Sequence, residues 1–142
     1  MSTIAIIPAR STSRRFPGKN VALLDGKPLL LHAIERAREA QALGVVDAYV
    51  VSVDTWGEPA QLCEKYGAPH HRRGEAAREP EARVIDVVRD FIFTSSEEHQ
   101  ACSYDCPGRP TWNGSRWAAP TWDTVCVLLP TSPLRTLRHL VE

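Results

Sequence analysis

An apolar segment near the start of the chain leads directly into a loop rich in cations and hydroxyl groups. Residues 3–7 form a short apolar run typical of a buried strand, and the loop occupies residues 8–20. The cations of this loop are Arg10, Arg14, Arg15 and Lys19. Small residues let backbone N–H groups approach an anion, and the cations would neutralise it. Because nucleotide phosphates usually bind where a first parallel strand ends, this segment predicts a phosphate site in a sheet-based fold.

The alternative interpretation is an exposed basic loop without a ligand, since runs of charge are usually solvated. Two features favour the ligand: the loop follows a buried type of strand, and Pro8 and Pro17 restrict its backbone. The loop has neither the Gly-Lys-Ser/Thr of a Walker loop nor the Gly-x-Gly-x-x-Gly fingerprint of dinucleotide-binding proteins. The predicted phosphate site therefore belongs to neither of these two classes.

Length and composition indicate one globular domain without a general affinity for polyanions. The chain has 142 residues and a formal net charge of zero, so binding to nucleic acid or to a membrane surface is not expected. No apolar run is long enough to span a bilayer, and the sequence shows no secretory signal. The four cysteines do not form the pattern of a secreted disulfide-rich domain, and Cys63 is expected to be a buried thiol. We therefore expect a cytoplasmic protein.

Strand and helix patterns alternate along the chain. Helices are expected at residues 29–42, 58–66 and 80–93, strands at 48–53 and 124–129, and a short extended segment at 69–73. This alternation indicates an α/β fold with a mostly parallel sheet. Three loops, residues 8–20, 52–54 and 130–135, would then meet at the carboxyl edge of the sheet, where open α/β sheets bind ligands. The pair His70-His71 is expected to lie at the surface.

Residues 94–123 do not fit this alternation. Trp112, Trp117 and Trp122 recur every five residues, a spacing of neither a helix nor a strand. We interpret the segment as an insertion, either a lid or a disordered excursion, because a structureless loop of this length is uncommon in a compact domain. It also holds three residues of metal-binding type, His99, Cys102 and Cys106. No fourth ligand is evident, so an ordinary loop is favoured over a zinc site.

Four short motifs follow one another along the chain in a characteristic order. They are Ile7-Pro8-Ala9-Arg10 with Pro17-Gly18-Lys19-Asn20, Gly26-Lys27-Pro28-Leu29, Val50-Val51-Ser52-Val53-Asp54 and Leu129-Pro130-Thr131-Ser132-Pro133-Leu134-Arg135. In turn they resemble the nucleotide loop, the following turn, the second-strand motif and the QPTSPLR segment of the acylneuraminate cytidylyltransferases, also called CMP-sialic acid synthetases. Enzymes that activate other nonulosonic acids or 3-deoxy-manno-octulosonate are close alternatives. The resemblance implies a Rossmann-like, three-layer α/β/α fold of the nucleotide-diphospho-sugar transferase type.

The resemblance also implies a reaction and its substrates. CMP would pass from CTP to a nonulosonic (sialic) acid, an acidic sugar of nine carbons, with release of pyrophosphate. Mg²⁺ would bridge phosphate oxygens. The motifs do not identify the metal's protein ligands. Asp54 is a candidate ligand, although an aspartate at such a position more often orients a loop than binds a metal. A homodimer is an option that the resemblance leaves open.

Individual roles follow from the resemblance by position. Arg10 and Lys19 would be catalytic, because they supply positive charge to the leaving pyrophosphate. The nucleotide would contact Ala9, Arg10, Ser13, Lys19, Asn20 and Arg73. The acceptor sugar would contact Thr131, Ser132 and Arg135.

The chain departs from the family pattern at several places. Ser11-Thr12 stands where the family has Gly-Gly, Leu129 replaces a glutamine, and Gly74 replaces a proline. The family also continues into a further sheet portion, a dimerisation element and metal-binding carboxylates, so residues 1–142 are interpreted as a single, incomplete domain. Two other hypotheses stay open. One is a non-catalytic nucleotide-binding or scaffold protein of the same fold, and the other is a nucleotidyltransferase for another base or sugar phosphate.

Overall fold

The computed structural model describes residues 1–13, 16–79, 81–94 and 122–133, together with residues 136 and 138. In chain order its elements are β1 (Thr3–Ala9), β2 (Leu23–Leu24), β3 (Lys27–Pro28), α1 (Leu29–Ala42), β4 (Ala48–Val53), α2 (Glu58–Lys65), β5 (His70–Arg72), α3 (Glu75–Arg78), α4 (Val84–Thr94) and β6 (Thr124–Val127). The predicted alternation of strands and helices is confirmed. Among the described helices, none is long and apolar enough to cross a membrane.

Four of these strands form one parallel sheet in the order β5-β4-β1-β6. β1 lies inside this sheet, where Ile6 pairs with Val50 on one side and with Val127 on the other. β4 and β5 follow β1 outward in one direction, and the chain then returns to place β6 on the opposite side of β1. This reversal is a topological switch point, and ligands of such sheets bind in the crevice at the carboxyl ends of the strands there.

β1 buries side chains on both faces of the sheet, which makes the fold three-layered. Because successive side chains of a strand point to opposite faces, Ile7 packs with Leu30 of α1 and Cys63 of α2 on one face. Ile6 packs on the other face with Phe91 of α4. The expected Rossmann-like α/β/α arrangement is therefore confirmed, as is the burial of Cys63.

The helix predicted at residues 80–93 begins at α4, four residues later than expected. The chain first forms the short α3, and Glu79 then takes an extended ψ of 142°, a conformation favoured before a proline. Pro80 itself lies outside the described residues. The backbone N–H of Arg83 donates to the Asp86 carboxylate at 2.8 Å. This bond is half of a capping box and fixes the start of α4.

The turn predicted at residues 25–28 forms a hairpin in front of α1. Asp25 and Gly26 have φ values of 51° and 74°, and two positive φ values are typical of the type I′ turn that joins short antiparallel strands. Beyond the hairpin, the backbone N–H of Leu30 donates to the carbonyl of Asn20 at 2.9 Å. The first turn of α1 therefore holds the end of the basic loop in place.

The predicted insertion, residues 94–123, falls largely outside the described residues. This applies to residues 95–121, which contain the three residues of the zinc hypothesis and two of the three tryptophans. Trp122 is described, and it packs against the cluster of Ile6 and Phe91. Trp122 is therefore part of the core that supports β6.

Candidate nucleotide site

A cavity of about 550 Å³ opens at the carboxyl edge of the sheet, at the switch point between β1 and β6. Its walls come from the loop after β1, the residue that follows β5, the start of α4 and the segment after β6. Six of the predicted site residues line it, namely Arg10, Ser13, Lys19, Asn20, Arg73 and Thr131. The fold brings these sequence-remote side chains together, and their contacts with a ligand stay predictions.

Three other predicted site residues are not among those that line the cavity. Ala9 is fully buried at the end of β1. Ser132 lies in a turn, where its backbone N–H donates to the carbonyl of Leu129 at 3.0 Å. Arg135 lies outside the described residues, as do Arg14 and Arg15. Leu129 itself lines the cavity at a position where a polar side chain is expected.

Arg10 links the basic loop to the segment in front of α4. Its Nη2 donates to the carbonyl of Glu79 at 3.0 Å and to the carbonyl of Ala82 at 2.8 Å. Ala82 lines the same cavity as Arg10. Arg10 therefore fixes one wall of the cavity while its guanidinium contributes positive charge to it.

Ser11 ties the basic loop to the end of β4. Its backbone N–H donates to Asp54 Oδ1 at 2.9 Å, and its hydroxyl donates to Asp54 Oδ2 at 3.1 Å. Thr55 Oγ1 also donates to the Ser11 hydroxyl at 3.2 Å. Ser11 and Thr12 are not among the described residues with positive φ, where Asp25 is the single non-glycine. The side chains that replace Gly-Gly thus meet no backbone strain, and Ser11 gains a bond that glycine could not make.

Asn20 and Lys19 differ in how much of their side chains is already engaged. Asn20 is 2% exposed, and its Nδ2 donates to the carbonyl of Arg10 at 2.6 Å. Its side chain therefore holds the loop closed. The ammonium of Lys19 has no hydrogen-bond or carboxylate partner in the part of the chain that the structure describes, and Lys19 lines the cavity. Of this pair, Lys19 is the side chain that can meet an anion.

Arg73 is a buried cation at the inner wall of the cavity. It is 2% exposed, its Nε donates to Ser52 Oγ at 3.0 Å, and its Nη2 donates to the Ser52 carbonyl at 2.9 Å. Its Nη1 has no hydrogen-bond partner among the described residues. Burial, and to a lesser degree the charge of Arg10, lowers the pKa of Arg73 to about 10, against the raising effect of Asp54 and Asp90. A buried, partly unpaired guanidinium is costly without an anion, so this nitrogen is a candidate to receive one.

Gly74 contacts α4 through its backbone. Its N–H points between the two carboxylate oxygens of Asp90, at 3.2 Å from Oδ1 and 3.0 Å from Oδ2. A Cβ at position 74 would lie 2.6 Å from Asp90 Oδ1. No sequence motif indicates this contact, apart from the glycine that stands where the family has a proline.

The expectation that His70 and His71 lie at the surface is wrong. They are 7% and 9% exposed, because β5 pairs with β4 and joins the sheet. The ring of His70 lies 5.9 Å from that of Trp56, and the ring of His71 lies 4.9 Å from that of Phe91. Both histidines therefore pack inside the domain.

The described residues do not form a protein site for a divalent metal. They contain no group of three or more His, Cys, Asp or Glu side chains placed to hold an ion. Both carboxylate oxygens of Asp54, the sequence candidate, accept hydrogen bonds from Ser11. Asp54 therefore orients the loop, which is the role that carboxylates at such positions usually have.

Comparison with known proteins places these observations in a family context. A family model described as "Cytidylyltransferase" matches residues 4–105. The CMP-N,N'-diacetyllegionaminic acid synthase of Legionella pneumophila is 34% identical over 100% of this chain and 53% of the relative. The N-acylneuraminate cytidylyltransferase of Streptococcus agalactiae is 31% identical over 80% of this chain and 27% of the relative. The 3-deoxy-manno-octulosonate cytidylyltransferase of Marinobacter nauticus is 39% identical over 63% of this chain and 38% of the relative.

A solved structure shares the fold. The structure of CMP:2-keto-3-deoxy-manno-octonic acid synthetase complexed with CTP superposes with a TM-score of 0.68 at 20% identity. The match covers 99% of this chain and 44% of that one. This chain therefore spans about half, or less, of the length of the relatives it matches.

Proposed function

Because this chain belongs to the cytidylyltransferase family, we propose that it binds CTP in the cavity at the switch point. The observation that carries the proposal is the buried guanidinium of Arg73, whose Nη1 has no partner among the described residues. Arg73 lines the same cavity as Arg10 and Lys19. Three cations around one cavity suit a triphosphate, and the position suits a nucleotide. Ala9, Ser13 and Asn20 would complete the nucleotide contacts, with Ser13 and Asn20 at the wall and Ala9 behind it.

The proposed reaction transfers CMP from CTP to an acidic sugar. A hydroxyl of the sugar attacks the α-phosphorus in line, a new P–O bond forms, and the bond to the pyrophosphate oxygen breaks. Lys19 and Arg10 act as catalytic residues, because their charges stabilise the negative charge that develops on the leaving pyrophosphate. Arg10 is already fixed by two backbone carbonyls, so its charge needs little rearrangement during the reaction.

The proposed acceptor is a nonulosonic (sialic) acid, bound by Thr131, Ser132 and Arg135. The names of the Legionella and Streptococcus relatives support this class of sugar. The Marinobacter relative supports 3-deoxy-manno-octulosonate as the alternative acceptor. Leu129 lines the cavity beside Thr131, so part of the acceptor wall is apolar in either case.

Mg²⁺ belongs to this proposal as the companion ion of the triphosphate. The described residues supply no set of protein ligands for it, so no step of the reaction is assigned to a metal held by this part of the chain. The experiment below distinguishes this reaction from a second candidate function. In this second candidate the chain binds the nucleotide without catalysis, as a scaffold or regulatory protein.

The test is calorimetric titration of the purified chain with CTP, with and without Mg²⁺, and with GTP and UTP as controls. We expect selective binding of CTP that weakens by about tenfold or more in Lys19→Ala and much less in Lys19→Arg, which keeps the charge. A CTP affinity equal in the wild type and Lys19→Ala would remove Lys19 from the site. Pyrophosphate release with N-acetylneuraminate or with 3-deoxy-manno-octulosonate then distinguishes the two acceptors, and release with neither favours the non-catalytic function.

A further inference from the structure

Asp90 and Gly74 form a contact between α4 and the residue that follows Arg73. Both oxygens of the Asp90 carboxylate lie within hydrogen-bond distance of the Gly74 N–H, at 3.2 and 3.0 Å. We propose that Asp90 is a positioning residue, which holds Arg73 at the cavity wall so that its guanidinium can receive the nucleotide. This inference rests on the proposed CTP site, and it assigns to α4 a role in that site beyond packing.

The contact favours glycine for space and excludes proline, which has no N–H. Gly74 has φ −62° and ψ 167°, values that other residues also adopt, so its conformation does not select glycine. A Cβ would lie 2.6 Å from Asp90 Oδ1, and a proline would have no N–H to donate. The glycine in place of the family's proline and the carboxylate at position 90 therefore depend on each other: Asp90 needs the N–H that proline lacks.

The arrangement leaves one nitrogen of Arg73 for a ligand. Ser52 accepts hydrogen bonds from Nε and Nη2 on one side of the guanidinium. Asp90 fixes the backbone that follows Arg73. Between these two restraints the guanidinium has little freedom, and Nη1 is the buried nitrogen without a partner among the described residues.

Asp90 also affects the charge of Arg73. Its carboxylate and that of Asp54 favour the protonated guanidinium, against burial and the nearby positive charge of Arg10. A helix carboxylate that both fixes the backbone and favours the charge would prepare Arg73 for an anionic ligand before that ligand arrives. A merely structural contact would not be expected to act on ligand affinity in this way.

The experiment combines CTP titration with NMR detection of the Arg73 side chain in the full chain. The variants are Asp90→Ala, Asp90→Asn and Gly74→Ala, and the Arg73 Nε–H signal is identified by its loss in Arg73→Lys. We expect Asp90→Ala and Gly74→Ala each to weaken CTP binding by about tenfold, the worth of a hydrogen bond to a charged group. We also expect faster solvent exchange of the Arg73 Nε–H in both variants.

Two controls separate this role from a general effect on folding. Glu64→Gln makes the same type of change at an exposed position of α2, whose residues do not line the cavity, and it should leave both CTP affinity and Nε–H exchange as in the wild type. In the Asp90→Ala background, Gly74→Ala should have no further effect, because the carboxylate that the new Cβ would meet is gone. Asp90→Asn keeps an acceptor for the Gly74 N–H and the side-chain volume but removes the charge, so it should weaken CTP binding less than Asp90→Ala does. If Asp90→Ala does not fold, Gly74→Ala provides the same measurements.

The outcomes are distinct. Weaker CTP binding with faster exchange in the position 74 and 90 variants supports the positioning role. Wild-type values of both in Asp90→Ala, or in Gly74→Ala if Asp90→Ala does not fold, would overturn it. If the wild type binds no CTP but exchange at Arg73 still rises in these variants, the positioning role stands and the proposed function fails.

Discussion

Ser11 and Asp54 hold the basic loop against the end of β4 by two parallel hydrogen bonds, from N–H to Oδ1 at 2.9 Å and from the hydroxyl to Oδ2 at 3.1 Å. Asp54 is 4% exposed, so this pairing is sheltered from water. The loop that lines the cavity is thus connected to a neighbouring strand as well as to its own. A carboxylate that would suit a metal is used instead to give the loop one conformation.

Removal of either partner should therefore reduce stability. We expect Ser11→Ala to lower the unfolding free energy by about 1 kcal/mol, and Asp54→Ala by about 2 kcal/mol because it leaves the Ser11 N–H unpaired. In the double variant the second change should add little, since the two residues share one interaction. Urea denaturation measures this, with the exposed neighbour Thr12→Ala as the control, expected within about 0.5 kcal/mol of the wild type. Fully additive losses would show that Ser11 and Asp54 act independently.

The strands that build the sheet were the most predictable part of the fold. The apolar runs of β1 and β4 indicate buried parallel strands, and both form where expected. The carboxyl-edge position of the site also follows from alternation alone. The burial of His70 and His71 could not be predicted, because it depends on the pairing of β5 with β4. A three-residue polar segment carries no periodic signal of its own.

For the site, too, the sequence predicts which residues are involved but not the tertiary contacts that hold them. The resemblance selects Arg73, Arg10 and Lys19, and the fold brings them to one cavity. The resemblance does not indicate the contacts that hold these three side chains in place. Asp90, for example, lies 16 residues after Gly74 along the chain and belongs to no motif. In the sequence Ser11 is only a departure from Gly-Gly, whereas in the structure its hydroxyl donates a hydrogen bond to Asp54. Supporting contacts depend on which helix faces which loop, which a single sequence does not specify.

Replacement of Arg73 by an apolar residue should separate binding from stability. In Arg73→Met we expect CTP affinity to fall by tenfold or more, while the unfolding free energy of the unliganded chain changes by less than about 1 kcal/mol. The reason is that burial of the charge opposes folding, and its removal offsets the two lost hydrogen bonds to Ser52. Calorimetry and urea denaturation of the same sample measure the two quantities. A stability loss of about 3 kcal/mol or more would identify Arg73 as a brace of the fold.

The pH dependence of CTP binding should report the ionisation of Arg73. Since the pKa of Arg73 is lowered to about 10, its guanidinium is charged below that pH and loses its proton as pH rises through it. CTP affinity should therefore decline near pH 10, whereas an ordinary arginine stays charged beyond pH of about 12. The measurement uses Lys19→Arg, which keeps a positive charge at position 19 without a lysine ammonium in the cavity. Flat affinity in this variant between pH 8 and about 10.5 would contradict a direct role for Arg73.

The start of α4 should be sensitive to acid. The backbone N–H of Arg83, followed by its side chain, lowers the pKa of Asp86 from the ordinary 3.8. A carboxyl that is more acidic in the folded chain stabilises it above the unfolded pKa, and this contribution is lost as pH falls through the folded pKa. Asp86→Asn should therefore lower the melting temperature at pH 7, and its difference from the wild type should shrink below pH of about 4. Thermal denaturation between pH 7 and pH of about 2.5 tests this, with the exposed Glu64→Gln on α2 as the control. A difference that is the same at every pH would show that the bond to Arg83 does not depend on the carboxylate's charge.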